Sequence, residues 1–291
     1  NNIFEKLSSF NGEINNPIIF TSPDIYRRET YDFVTNQPKK EEFFIKPFLD
    51  VAIKNKIPTL CFDLDYTLKG STNTLKERLN TNVNWIPIEH LLQKSKSEKT
   101  KNIISSLKNS VEKLLKNNKK ELLFFQNIDL SEHLKQDFED LFLEPNLPTY
   151  IHLIESLQDY LQKIKPKAII QVYETGTYAK VFEIVSKKLG IRSLAIQHGL
   201  IPTDFPEYIC KEIKNENFPL GNHIPDKTLV YGSYYKKILT EIGKYPKEKV
   251  QVIGHPTYFD FEKIKNLFNK QEILKKITLI MKKLFYFHYL C

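Results

Sequence analysis

Residues 166–199 read PKAIIQVYETGTYAKVFEIVSKKLGIRSLAIQHG, and this stretch decides the fold. The apolar run at 168–173 predicts a short buried strand. Residues 177–189 then place apolar side chains at helical spacing, and Gly190 stands where a helix often ends in glycine. Residues 193–196 form a second apolar run. A strand, a helix and a strand in this order predict a parallel unit with a right-handed crossover.

The same pattern continues on both sides of this unit. Residues 228–231 and 250–253 predict two later strands, and residues 17–21 and 58–62 predict two earlier ones. A helix is predicted between the earlier strands, at about 41–55, with Pro47 near its start. The expected fold class is therefore α/β, with a Rossmann-like parallel sheet flanked by helices.

The composition indicates a packed protein with an uneven charge. Hydrophobic residues make up 41% of the 291 residues and aromatic residues 12%, which is enough for a core. The net charge is +8, but residues 91–120 carry nine lysines against two glutamates. These residues predict a basic amphipathic helix inserted in the main domain. A nucleic-acid binder would combine basic and aromatic residues on one face, so nucleic acid is not an expected partner. The lysines indicate a solvated face or, alternatively, a surface for anionic lipid.

The cysteines and the apolar segments bear on location. Cys61, Cys210 and Cys291 form no CxxC pair and no zinc-site spacing, which is typical of reduced thiols. No signal-peptide pattern and no apolar run of membrane-spanning length appears. We expect a cytoplasmic protein, with peripheral contact to an anionic membrane as the alternative to a fully solvated one.

Polar residues and glycines follow each of the four late strands. In an open parallel sheet, ligands bind beyond the carboxyl ends of the strands, so these residues are expected to line one site. Glycine there lets a ligand approach the backbone closely. The predicted catalytic residues are Glu174 and His198. The predicted substrate-binding residues are Thr175, Gly176, Gln197, Gly199, Gly232, Ser233 and His255.

Each of these side chains has a chemical role and a structural alternative. His198 could act as a general base or hold a phosphate as imidazolium, or it could simply bond a carbonyl in a tight turn. Glu174 could be an acid or base, or a charge that complements a helix dipole. His255 lies in a Gly-His-Pro turn, so it could bind a ligand or serve only the backbone conformation of that turn. Thr175 or Thr177, and Ser233, are candidate helix caps that would leave N–H groups for phosphate or a sugar hydroxyl.

Three segments carry a resemblance to a known superfold. They are SLAIQHGLIP (193–202), PDKTLVYGSYYKKILTEIG (225–243) and VQVIGHPTYFD (250–260). In this order and spacing they resemble the acceptor-side lobe of GT-B glycosyltransferases. The nearest groups are microbial surface-polysaccharide transferases, glycerophosphotransferase-like and 2-epimerase-like members included. The resemblance implies transfer of a sugar or polyol phosphate from a nucleotide-activated donor to a glycan or lipid-linked acceptor, with no separate cofactor.

The resemblance covers about residues 166–260 and implies a division of the chain. In that superfold a second Rossmann lobe holds the donor nucleotide. We therefore expect residues 1–261 to form the acceptor-side lobe, with the basic helical insertion at about 91–120. Residues 262–291 would be a linker and the truncated, atypical start of the donor lobe. The chain is thus expected to be an incomplete transferase, with its activity as it stands left open, or else a non-catalytic glycan-binding lobe.

A second motif favours a different enzyme class. PTLCFDLDYTLKG (58–70) resembles the haloacid-dehalogenase phosphatases. That resemblance implies Asp63 as the nucleophile, Asp65 as the general acid/base and Mg²⁺ as the charge partner. Such enzymes also need an aspartate at the end of a later strand to bind the metal. The best later strand, VQVIGHP (250–256), has His255 at that position instead. The transferase interpretation is therefore preferred, and it requires no metal.

Overall fold

The computed structural model describes residues 14–32, 35, 37–64, 72–94, 98–117, 124–134, 137, 146–209, 223–256, 269, 271, 274, 275, 277 and 278. Asp65 and Cys210 fall outside the described residues, as does most of the predicted linker segment 262–291. The division of the chain at residue 261 therefore stays a prediction.

Strands and helices alternate along the chain. The strands are β1 (Ile18–Pro23), β2 (Arg27–Asp32), β3 (Gln37–Glu42), β4 (Thr59–Leu64), β5 (Trp85–Pro87), β6 (Phe124–Phe125), β7 (Ile128–Asp129), β8 (Ala168–Val172), β9 (Arg192–Ile196), β10 (Lys227–Val230) and β11 (Val250–Val252). The α-helices are α1 (Lys46–Lys54), α2 (Thr72–Leu79), α3 (Glu98–Asn117), α4 (Asn146–Ile164), α5 (Thr177–Leu189) and α6 (Ser233–Lys237). Short 3₁₀ turns cover Asp24–Tyr26, Ile88–Lys94 and Lys247–Lys249, and a π turn covers Ile238–Ile242.

Seven of the strands form one parallel sheet in the order β5-β4-β1-β8-β9-β10-β11. The chain builds outward from β1 through β4 to β5, then returns to β8 and builds outward on the other side. This is the doubly wound order of a Rossmann-like fold, and it places a topological switch between β1 and β8. The predicted fold class and the four parallel late strands are confirmed.

Helices cover both faces of the sheet, because each strand buries side chains on both sides. On one face, α4 and α5 pack Leu157, Leu161 and Phe182 against the strands. On the other face, α1 packs Leu49 and Ala52. A third cluster at the β11 side includes Tyr208, Val230, Leu239, Tyr245 and Val250.

An antiparallel hairpin, β2–β3, follows β1 and was not predicted. The predicted helix at 41–55 is correspondingly too long: α1 begins at Lys46, next to Pro47, and Glu41 and Glu42 end strand β3. Proline suits the first helical turn because it lacks the N–H that would be unpaired there.

A buried ion network ties the hairpin to the sheet. The Arg78 guanidinium on α2 is fully buried and donates from Nε and Nη2 to the two carboxylate oxygens of Glu42, at 2.8 Å each. Its Nη1 lies 2.9 Å from Oδ1 of Asp63 on β4. Ser22 on β1 donates to Glu42 at 3.0 Å, and Arg78 stacks over Trp85 with its Cζ 4.2 Å from the ring centroid. Four strands and a helix are thus joined around one cation.

The basic helix is present as α3, close to its predicted bounds. Ile103, Ile104 and Val111 are half-buried, whereas Lys101 and Lys113 are exposed. Within the described part of the chain, no helix combines the length and apolarity needed to cross a bilayer.

Candidate functional site

Aromatic side chains gather around His198 at the carboxyl edge of the sheet. The His198 imidazole lies 4.7 Å from the Tyr173 ring and 5.6 Å from the Tyr26 ring, centroid to centroid. His198 follows β9, Tyr173 follows β8, and Tyr26 ends the turn after β1. The group therefore spans the switch point between β1 and β8, where ligands bind in folds of this kind.

A chain of polar contacts connects His198 to a buried carboxylate. Tyr208 donates its hydroxyl to Oε2 of Glu174 at 3.1 Å, and the same hydroxyl lies 3.4 Å from Nδ1 of His198. A phenol has one proton, so while Glu174 is ionised the Tyr208 oxygen can only accept from Nδ1. The imidazole proton then resides on Nδ1, and Nε2 keeps its lone pair. This is the tautomer that a general base requires.

Burial changes the pKa values of both ends of this chain. It raises the pKa of Glu174 to about 7, against the lowering effects of a backbone hydrogen bond, Lys180 and the Tyr208 hydroxyl. Glu174 is 1% exposed, and its Oε1 has no hydrogen-bond partner among the described residues. Burial lowers the pKa of His198 to about 4, with the Glu207 charge acting upward and Arg28 downward. The imidazole is therefore neutral at pH 7.

The Glu207 carboxylate binds two side chains that follow β8. Its carboxylate accepts hydrogen bonds from the Thr175 hydroxyl at 2.6 Å and from the Tyr173 hydroxyl at 3.3 Å. The Tyr173 backbone has φ of 63°, a left-handed conformation that is uncommon outside glycine. The Thr175 hydroxyl is thus engaged by a side chain and does not cap α5, contrary to the predicted cap.

The other predicted binding residues lie along the same edge. Gln197 is buried and joins two strand ends, since its Oε1 accepts from the Tyr231 N–H at 2.8 Å and its Nε2 donates to the Gly199 carbonyl at 2.6 Å. Gly176 and Gly232 are the residues before α5 and α6, and neither helix has a side-chain cap, so the predicted Ser233 cap does not form.

Two glycines, Gly199 and Gly232, leave open space at this edge. A Cβ added to Gly199 or to Gly232 would meet no atom within 4 Å. Ser233, the first residue of α6, is exposed beside them. Packing therefore does not account for these glycines, and the space is open to a ligand.

His255 belongs to an adjoining aromatic group. Its ring lies 4.2 Å from that of Tyr231, and 6.0 Å and 6.3 Å from those of Phe43 and Phe44. Phe44 in turn lies 5.0 Å from Tyr26, which reaches the His198 group. Burial lowers the pKa of His255. The two predicted histidines therefore share one aromatic surface.

Four residues of this candidate site were not predicted from the sequence: Tyr26, Arg28, Glu207 and Tyr208. Tyr26 ends the turn after β1, and the rule that ligands lie beyond strand ends could have found it had it been applied to β1. Arg28 is the second residue of the hairpin strand β2, which was not predicted. Glu207 and Tyr208 lie in irregular chain after β9, where the sequence has no helical or strand periodicity from which their contacts could be predicted.

The aspartate of the phosphatase motif lies elsewhere, at the end of β4. Asp63 is 3% exposed and pairs with Arg78. Burial raises the pKa of Asp63, with Arg78 acting in the opposite direction. Asp65 is outside the described residues. Among the residues that are described, no group of three or more His, Cys, Asp or Glu side chains is placed to hold a metal ion.

Comparisons with known proteins add no family assignment. No protein-family model matches the chain, and no curated protein matches it either. The described chain is a Rossmann-like α/β structure with a cluster of aromatic and polar side chains around His198 at the carboxyl edge of its sheet.

Proposed function

We propose that this protein is the acceptor side of a transferase that uses a nucleotide-activated sugar or polyol phosphate. In this proposal His198 is the general base that takes the proton of the acceptor hydroxyl. One observation supports it above the others: the Tyr208 hydroxyl connects Glu174 to Nδ1 of His198 beside the topological switch. While Glu174 is ionised, this contact keeps the imidazole proton on Nδ1 and leaves Nε2 as the base.

The reaction would proceed by direct displacement. The acceptor oxygen bonds to the anomeric carbon, or to phosphorus in the polyol case, while the bond to the nucleotide leaving group breaks. The acceptor proton passes to Nε2 of His198. The Glu207 charge favours the imidazolium that results, and the Tyr208 oxygen accepts from its Nδ1–H while Glu174 is ionised. A base positioned in this way typically accelerates a reaction about 10²–10⁴-fold.

Turnover by the chain itself tests the proposal. We expect a panel of nucleotide sugars with glycan and lipid-linked acceptors to reveal transfer, and His198→Ala to lower kcat by about 10²–10⁴-fold. His133→Ala is the matched control, because His133 is an exposed histidine in the short helical turn after β7. Near-normal kcat in His198→Ala would remove His198 from the mechanism. Acceptor binding without turnover would instead favour the non-catalytic glycan-binding lobe.

The phosphatase interpretation has a separate test. It expects Mg²⁺-dependent release of phosphate from p-nitrophenyl phosphate, lost in Asp63→Asn. No contact of Asp63 points to this chemistry, since its carboxylate pairs with a fully buried arginine. Activity of this kind would overturn the transferase proposal.

We also propose a peripheral contact with membrane. An acceptor that is linked to lipid would be reached most easily by a protein held at the bilayer surface. The exposed lysines of α3, Lys101, Lys113 and Lys116 among them, supply a positive surface for anionic headgroups.

A further inference from the structure

Arg28 lies over three aromatic rings at the carboxyl edge. Its Cζ is 5.5 Å from the centroids of Tyr26 and Phe43 and 5.8 Å from that of Phe44. Stacking of this kind holds a guanidinium in place by cation–π attraction and leaves its N–H groups directed outward in the guanidinium plane. Nε donates to the Ile25 carbonyl at 3.2 Å, which further restricts the orientation of the group.

Arg28 differs from its neighbouring arginines in having no acidic partner within the described residues. Arg27 pairs with Glu42 and Glu77, and Arg78 pairs with Glu42 and Asp63. The residue is also exposed, and its two terminal amino groups make no hydrogen bond to the described part of the chain. Arg28 is therefore an oriented cation at this edge, with no acidic partner among the residues that the structure describes.

The position of Arg28 relates it to the histidine site. Arg28 lies two residues beyond Tyr26, the last residue of the turn that follows β1. Its charge acts on both Tyr26 and His198. Tyr26, Tyr173 and Tyr208 also face His198, and Glu207 is the carboxylate that acts on it directly. Both oxygens of Glu207 already accept hydroxyl hydrogen bonds.

We propose that Arg28, seated on Tyr26, Phe43 and Phe44, binds a phosphate group of the substrate beside His198. A planar guanidinium matches the geometry of phosphate oxygens, and its two terminal amino groups, which bind no described residue, can form two parallel hydrogen bonds. The ligand class is a phosphate or diphosphate ester. The identification of that ester with the activated donor or the lipid-linked acceptor rests on the proposed function, whereas the binding itself does not.

Occupancy of this site has a consequence for the base. Burial is the main cause of the lowered pKa of His198, and the Arg28 charge adds to it. A bound phosphate would offset that charge and would add a negative charge near the imidazole. The pKa of His198 would then rise from about 4 toward the pH at which a base works best. His198 would thus be a weak base in the free protein and a stronger one when the phosphate is present.

Isothermal titration calorimetry tests the site with three probes. Inorganic pyrophosphate reports on the phosphate alone, uridine diphosphate on a nucleotide ester, and farnesyl diphosphate on a lipid ester. We expect Arg28→Gln to weaken binding of the preferred probe about 10- to 100-fold, the loss typical of hydrogen bonds to a charged group. Arg192→Gln, which removes an exposed arginine at the opposite edge of the sheet, should change the Kd less than twofold.

Two results would overturn the proposal: no binding of any probe, or equal weakening by Arg28→Gln and Arg192→Gln. A second readout follows the His198 ring by NMR during pH titration. Saturating pyrophosphate should raise the pKa of His198 in the wild type and much less in Arg28→Gln. Neither measurement needs turnover. Loss of turnover in His198→Ala together with unchanged binding in Arg28→Gln would leave the proposed function intact and reject this site alone.

Discussion

Tyr208 donates its hydroxyl to Glu174 at 3.1 Å, although the two residues lie 34 positions apart. The phenol oxygen also lies 3.4 Å from Nδ1 of His198, so a single proton is shared between two neighbours. When Glu174 is ionised, the phenol proton points to it. When Glu174 is protonated, it can donate instead, and the phenol proton is free to turn toward Nδ1. The protonation of Glu174 therefore selects the tautomer of His198.

The first prediction concerns this tautomer. We expect the ¹⁵N chemical shifts of His198 to change with a midpoint near pH 7, the pKa that burial gives Glu174. The imidazole itself stays neutral there, since burial lowers its own pKa to about 4. Tyr208→Phe should abolish the change near pH 7, because it removes the proton that couples the two groups.

Tyr234→Phe serves as the control for that experiment. Tyr234 is 65% exposed, and its loss of a hydroxyl should leave the titration of His198 as it is in the wild type. A change near pH 7 that persists in Tyr208→Phe would show that His198 responds to another group.

The second prediction concerns stability and pH. The pKa of Glu174 rises from 4.5 to about 7 on folding, so the folded protein keeps a proton that the unfolded chain releases. The free energy of unfolding must then fall as the pH rises through that window and level off above it. Relative to the wild type, Glu174→Gln should gain about 3 kcal/mol between pH 4.5 and 8.

Urea unfolding at several pH values measures this difference directly. Glu183 and Asp63 also have pKa values raised by burial, so the comparison with the wild type is needed to isolate Glu174. Glu248→Gln, at an exposed site, should follow the wild-type curve. Parallel curves for Glu174→Gln and the wild type would mean that Glu174 titrates as it does in the unfolded chain.

The third prediction concerns the buried ion network. Arg78→Met leaves the carboxylates of Glu42 and Asp63 buried without their cation, which should lower the free energy of unfolding by about 3–5 kcal/mol. Arg192→Met removes the same charge from an exposed position and should cost less than about 0.5 kcal/mol. Chemical denaturation provides both values. Similar small losses in the two variants would contradict a role for the network in anchoring the hairpin.

The fourth prediction concerns α3 and membranes. Vesicles that contain anionic lipid should sediment the protein, and neutral vesicles should not, with each lysine near the surface contributing about 1 kcal/mol. Replacing Lys101, Lys113 and Lys116 by glutamine should release it. Replacing Lys54, Lys188 and Lys247, which are equally exposed, should have little effect. Binding that is indifferent to lipid charge or to salt would reject the contact.

The late half of the sheet could be predicted because buried parallel strands carry continuous apolar runs. The segment 168–173 is an example: Ala168–Val172 forms β8 and only Tyr173 departs from it. The hairpin gave no such signal. Its strands read RRETYD and QPKKEE, which are mostly exposed and have no apolar face, so the start of the following helix was placed too early.

The site was predictable to the extent that topology alone determines it. Parallel strands must bring Glu174 and His198 to one edge, and they do. The partner that connects them, Tyr208, lies in irregular chain whose path depends on tertiary packing. Arg28 was missed for a different reason: an arginine in a charged strand looks solvated until the rings beneath it are known.

The left-handed backbone of Tyr173 has a consequence for how this position tolerates change. Such a conformation costs a non-glycine residue about 1 kcal/mol or more, which glycine would not incur. A library randomised at position 173 and selected for thermal resistance alone should therefore enrich glycine and asparagine. A library selected for ligand capture should retain tyrosine, whose ring contacts His198 and whose hydroxyl reaches Glu207. The two selections would separate the residue that suits the backbone from the residue that suits the site.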